Sequence, residues 1–318
     1  MEKKRIFSFS AFPYRQKITV DGFYFGDFGE KTVAVMGSTR GDEYQQMLTA
    51  ALLVKRLKTL EAEGAIPAGI GILVIPTASQ FSMNVGKRFF PVDNTDINRM
   101  FPGYDKGETT QRLADGLFKA LRDYKYGIHL ASFYLHGNFV SHVRAMNTGY
   151  QDNSLAADFG FPYCIIRKPQ PIDTTTLNYN WQVFETTAFS VYSGYTNMVD
   201  MEAAAGTLDA IFHFMVKRGC LRQVGGLPEE PAEKTVILPD SALTKIITND
   251  AGLFFSQVEL GEKVKAGQVI GKILDPFTAE EVEQIKASCD GTVFFICTDI
   301  AISQHTAAFG IIGNSQSI

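Results

Sequence analysis

The sequence lacks the marks of several large protein classes. Its four cysteines, Cys164, Cys220, Cys289 and Cys297, stand apart with no C-x-x-C pair. That spacing argues against a zinc knuckle or a disulfide frame and predicts reduced thiols in a cytoplasmic protein. A basic excess is also missing, because 30 Lys and Arg face 34 Asp and Glu for a net charge of −4. A general nucleic-acid binder needs such an excess to neutralise phosphates, so that class is excluded. No apolar run approaches a membrane span, so no membrane partner is expected. The basic start, Met1-Glu2-Lys3-Lys4-Arg5, is followed by Ser8, Ser10 and Pro13 rather than the apolar stretch of a signal peptide. Long internal repeats and low-complexity tracts are absent too. What is present is 318 residues, 45% hydrophobic and 20% charged. That is ordinary for a soluble globular chain and long enough for one large domain plus a small one.

Residues 33–43, V-A-V-M-G-S-T-R-G-D-E, predict a buried strand, a Gly-rich turn and a helix opening near Tyr44. Apolar residues at Met47, Leu48, Ala51, Leu52, Val54 and Leu57 continue that helix until Gly64 stops it, and 70–75 is the next buried strand. Strand–helix–strand order indicates a parallel sheet with ligand chemistry at the carboxyl ends of its strands. Upstream, Ile18, Val20, Phe23 and Phe25 alternate, predicting an antiparallel edge hairpin that turns at Asp21-Gly22. Residues 77–106 read as one long irregular segment, a length usually functional in a compact domain. A helix over 109–121, strands at 126–131, 163–166 and 188–191, and a helix over 208–216 follow. The Gly- and Pro-rich residues 225–231 predict a linker between an α/β domain over 1–226 and a small β-sandwich or barrel over 233–318.

Within the irregular segment stands Asp96-Ile97-Asn98-Arg99-Met100-Phe101-Pro102-Gly103, with Arg88 upstream. A planar guanidinium beside an amide suits bidentate capture of a carboxylate. The plainer alternative is a loop held by internal pairs such as Asp96 with Arg99. The motif is close to the Asp-Leu-Asn-Arg-x-Phe-Pro-Gly of the succinylglutamate desuccinylase/aspartoacylase family, relatives of the zinc carboxypeptidases. The chain resembles that family over nearly its whole length. The resemblance implies an α/β fold with a zinc-carboxypeptidase-like mixed sheet flanked by helices. It also implies a C-terminal lipoyl/biotinyl-like β-domain, which residues 258–271 and 288–293 resemble as well. Carrier versions of that module hold a modifiable Lys in a Met-Lys or Asp-Lys motif; residues 280–286 have neither, so a structural cap is expected.

For the site, the resemblance implies that Asn98 and Arg99 hold a substrate carboxylate and that Arg88 approaches the scissile carbonyl. It implies a catalytic zinc held in part by a His-x-x-Glu pair. Glu43 keeps the acidic half, but Arg40 stands where the His belongs. A permanently protonated guanidinium has no lone pair for a metal and repels the cation, which argues against zinc here. An Arg40–Glu43 ion pair could replace the metal–carboxylate bond and leave an anion pocket lined by Arg40, Arg88 and Arg99. The third ligand, a strand His in the family, falls on His129 or on Ala131, depending on whether Asp123-Tyr124 or His142-Val143-Arg144-Ala145 sets the alignment. A lone buried His is also often a satisfied core residue. The family's catalytic Glu falls on Tyr192, whose neutral hydroxyl is a poor base at neutral pH. Glu185 is the displaced alternative, and His136 and His142 are further candidates to rebuild a metal site.

Two functions follow. The first is a metal-dependent hydrolase cleaving the amide bond of N-acyl amino acids or related small carboxylates, with Tyr192 and Arg88 at the catalytic positions. The second is a non-catalytic member that binds an acidic small molecule in an arginine-lined pocket. Either takes a small carboxylate-bearing partner, and a homo-oligomer fits both. A weaker third reading gives the β-domain a structural or assembly role.

Overall fold

The computed structural model describes residues 1–13, 17–229 and 234–313. Two antiparallel strands, β1 (Glu2–Ser10) and β2 (Lys17–Gly26), form one edge of the main sheet. This corrects the hairpin expected at Asp21-Gly22: β2 runs straight through both residues and pairs with β1 on one side and with a later strand on the other. Gly22 is there for space rather than for a turn, since a Cβ on it would lie 2.5 Å from Ile6 and 2.8 Å from Leu73.

The central unit follows the sequence pattern closely. Strand β3 (Val33–Ser38) is buried at every position, as a strand covered on both faces must be. Helix α1 (Tyr44–Ala62) packs Leu53, Leu57 and Leu60 on the sheet, each fully buried and worth roughly 1.5–3 kcal/mol of transfer free energy before entropy is counted. Gly64, at φ 72°, adopts the left-handed conformation that closes the helix. Strand β4 (Gly71–Thr77) lies parallel to β3.

Residues 77–106 are less irregular than the sequence suggested. They contain helix α2 (Gln80–Val85), N-capped by Ser79, and a helical turn at Ile97–Arg99 capped by Asp96. Helix α3 (Thr109–Leu121) follows, its start fixed by reciprocal bonds between Glu108 and Gln111. Next come β5 (Tyr126–Ala131), β6 (Gly137–Met146), β7 (Tyr163–Arg167), α4 (Leu177–Val183), β8 (Thr187–Tyr195) and α5 (Met201–Lys217). Strands β4, β3, β5 and β8 are mutually parallel, and β6 is antiparallel to β8. One core lies between the sheet and α1 and α5, and a second lies on the other face around α3 and Trp181.

After the predicted linker, of which 230 and 231 lie outside the described residues, come nine short strands. They are β9 (Val236–Pro239), β10 (Leu243–Ile247), β11 (Gly252–Ser256), β12 (Lys263–Val264), β13 (Val269–Leu274), β14 (Glu281–Lys286), β15 (Gly291–Cys297), β16 (Ala301–Ile302) and β17 (Ala307–Gly313). Four of them form a second sheet in the order β14-β13-β11-β16. The others extend the main sheet: β15 pairs with β6, so Phe295 sits beside Phe139, and β17 and β10 continue outward. The last strands thus continue the main sheet edge to edge, through the pairing of β15 with β6. No helix among the described residues is long and apolar enough to cross a membrane.

Candidate active site

The carboxyl ends of β3, β5 and β8 open on one cleft. Gly37 and Gly41 let the chain after β3 fold tightly there, because a Cβ would lie 2.2 Å from the Pro76 carbonyl oxygen at the first and 2.1 Å from that of Ser82 at the second. The Gly41 N–H donates to the Lys87 carbonyl at 3.0 Å, which ties this turn to the segment carrying Arg88.

The turn delivers Arg40 and Glu43 as a buried pair. Arg40 Nη1 donates to Glu43 Oε1 at 2.9 Å, while its Nε and Nη2 donate to the Asp96 carboxylate at 3.0–3.1 Å. Glu43 also accepts from the backbone N–H groups of Thr39 and Arg40 at 2.7 and 3.0 Å, and from the Ser132 hydroxyl at 2.5 Å. Burial alone would weaken every charge in this cluster. The carboxylates of Glu43 and Asp96 outweigh it for Arg40, whose pKa is raised, so the guanidinium stays protonated. For Glu43, burial pushes upward, but the charge of Arg40 and the bonds from Ser132 and Thr39 hold the carboxyl below its ordinary range.

Asp96 is the second anchor. Besides Arg40 it accepts from Arg88 Nη2 at 3.0 Å and from the Asn98 N–H at 3.0 Å. The internal pair expected between Asp96 and Arg99 is therefore replaced by Asp96 with Arg40 and Arg88; Arg99 Nη1 turns to the Asn98 carbonyl at 2.8 Å. Asn98 Oδ1 accepts from the Leu177 N–H at 3.0 Å, fixing the loop against the start of α4.

The cleft wall brings Arg40, Arg88, Asn98, Arg99, His129 and Tyr192 together, all named from the sequence. Glu43 lies behind them, fully buried. His129 and Ala131 both line the cleft, two positions apart on β5 and hence on one face. Only His129 has a lone pair to offer, and its buried Nε2 has no hydrogen-bond partner. Burial lowers its pKa to about 4 against the pull of Glu43, so the ring is neutral at physiological pH.

Three alternatives are displaced from the site. Glu185 is exposed in the turn before β8, with φ 67°, at the end of the strand away from Tyr192. His136 pairs with Asp299 at 2.9 Å. His142 is buried with both ring nitrogens engaged: Nδ1 donates to the Val140 carbonyl at 2.7 Å and Nε2 accepts from Arg144 Nε at 2.9 Å. Ser132, Arg144, Arg167 and Asn178 also line the cleft and were not singled out from the sequence. Nothing local marks them, since their positions depend on how β5–β8 pair.

A model of the succinylglutamate desuccinylase/aspartoacylase catalytic domain matches residues 29–215. The chain belongs to this family. An N-alpha-acetyl-L-2,4-diaminobutyric acid deacetylase from Halomonas elongata is 25% identical over 253 residues, covering 77% of this chain and 70% of that protein. A succinylglutamate desuccinylase from Silicibacter sp. TM1040 superposes with a TM-score of 0.80 at 19% identity, covering 96% of this chain and 92% of the other. The product-bound ectoine utilization protein EutE (DoeB) from Ruegeria pomeroyi gives 0.77 at 18% identity, covering 94% and 90%. At these identities the two structures speak to the fold alone.

The family implies a catalytic zinc, which needs about three protein ligands and an open position. The residues present in this member do not fit one. Both Glu43 oxygens are taken by internal donors, and the guanidinium of Arg40 lies against one of them. His129 Nε2 is then the one donor left from the family's set. Among the described residues no group of three or more His, Cys, Asp or Glu is arranged to hold a metal ion. The cleft favours anions instead. Arg40, Arg88, Arg99, Arg144 and Arg167 line it, against Asp173 on the wall and Glu43, Asp96 and Asp42 behind; Arg99 and Arg144 have no carboxylate within ion-pair distance among the described residues.

Proposed function

We propose that this chain is a carboxylate-binding member of its deacylase family, using the hydrolase cleft for recognition without zinc-dependent amide cleavage. The observation that carries this reading is Arg40, whose guanidinium is locked between Glu43 and Asp96 where the family places a metal ligand. Arg88 and Arg99 supply the charge, and Asn98 is held in place beside them by Asp96 and Leu177. Arg99 has no carboxylate within ion-pair distance among the described residues, so its charge is available to a ligand.

The similarity to the deacetylase from Halomonas elongata supports N-acyl amino acids and related small carboxylates as the ligand class. The same relative supports a second reading, hydrolysis of that class, for which the unpartnered Nε2 of His129 offers a lone pair in the cleft. Titration calorimetry with N-acyl amino acids, alongside an amine-release assay, separates the two. Binding that survives chelator, with no amine released after zinc loading, is the expected result. Amine release that depends on added zinc would replace the first reading with the second.

A further inference from the structure

The arginine cleft does not end at Arg144. Beyond it, where β6 and β7 meet the last strands, lies a second cavity walled by Phe133, Phe139, Ile165, Leu243, Phe295 and Phe309. Phe133, Arg144 and Arg167 line both spaces. The two cavities therefore share a wall made of one aromatic ring and two guanidinium groups. One side is polar and cationic; the other is more apolar, with four Phe rings on its wall and Asp240 and Lys245 also lining it. The rings of Phe133, Phe139 and Phe295 lie within 4.6–5.5 Å of one another by centroid, and Lys245 Nζ sits 5.6 Å from the Phe133 ring.

Arg144 stands at the crossing in an unusual state. His142 orients it through Nε, and its guanidinium lies 4.3 Å from the Tyr192 ring centroid and 5.5 Å from that of Phe139. No carboxylate among the described residues lies within ion-pair distance, and its Nη2 is buried without an acceptor. A buried charged donor left without a partner costs free energy that a ligand oxygen would recover.

We propose that the ligand has three parts in line: an acidic head held by Arg88, Asn98 and Arg99, a central carbonyl oxygen accepting from Arg144 Nη2, and an aromatic arm in the second cavity. This rests on the reading of the cleft as a carboxylate site. The strands that follow residue 236 then set specificity, since Leu243, Phe295 and Phe309 belong to them.

N-acetylglycine and N-phenylacetylglycine share the head and the carbonyl and differ in the arm, so calorimetry of the full chain with this pair tests the proposal. Burying one ring should make the phenylacetyl compound bind roughly tenfold tighter or more. Leu243→Trp, which fills the second cavity, should bring the ratio close to one; Ala307→Leu, on the same wall, serves if the first variant does not fold. Equal affinities for the native chain would overturn the aromatic arm while leaving the carboxylate site standing. A ratio that survives both filling variants would also overturn it. Failure of both compounds to bind would remove the carboxylate reading together with this one.

Discussion

Arg40 and Arg144 face the same cleft but occupy opposite electrostatic situations. Arg40 spends its donors on Glu43 and Asp96, which in turn are held by backbone N–H groups and by Ser132. Arg144 has a neutral imidazole behind it, a tyrosine ring beneath it and a buried Nη2 with nothing to bind. One guanidinium closes its corner of the site and the other leaves its corner incomplete. The same functional group is therefore structural at one position and receptive at the other. What decides between them is whether the fold supplies the carboxylates.

The strongest way to break this contrast is to remove Arg40. Arg40→Met would leave Glu43 and Asp96 buried without their main counter-charge, and the expected loss is about 3–5 kcal/mol in urea denaturation. Arg144→Met should behave differently. It removes an unsatisfied donor but also leaves the buried His142 Nε2 without its partner, so the stability loss should be smaller than for Arg40→Met, about 1–2 kcal/mol, while affinity for a carbonyl-bearing carboxylate falls roughly tenfold. A large stability loss from both variants would erase the distinction.

A smaller effect sharpens it through His142, the residue that orients Arg144. Burial, with the charge of Arg144 adding to it, holds the His142 pKa well below its ordinary value of 6.5. The folded chain thus excludes a proton that the unfolded chain takes up below about pH 6.5. Stability should fall as pH drops from about 6.5 towards 5, and be unaffected by this group above that window. His142→Gln should show a shallower acid slope over the same range in pH-dependent denaturation. An unchanged slope would mean that His142 does not stay neutral in the fold.

Much of the architecture was legible in the sequence because it is locally encoded. The unbroken apolar run at Val33–Met36, the helical spacing from Tyr44 and the stop at Gly64 each carry their own signal, and the structure follows them. The Asp21-Gly22 pair misled because a turn signal and a packing requirement look alike in one dimension; Gly22 is small because Ile6 and Leu73 crowd it. Strand β6 was not foreseen because Asn138, Ser141, His142 and Arg144 interrupt its apolar residues, and two of those four serve the cleft and its support. At the site, Arg40, Glu43 and the 96–103 motif were legible through the family resemblance. The roles of Ser132 and Arg144 were not. Ser132 matters because β5 ends beside Glu43, and Arg144 matters because no carboxylate among the described residues comes within ion-pair distance, a property of the assembled fold alone.

If Arg40 takes the place of a metal ligand, the zinc content per chain shows it directly. The chain should be purified without chelators and measured before and after zinc addition, beside the Arg40→His variant, which restores the family's His-x-x-Glu pair next to His129. No stoichiometric zinc is expected in the native chain under either condition, and about one zinc per chain in the variant. One tightly held zinc in the native chain would contradict it, since Glu43 and His129 would then be serving a metal despite Arg40.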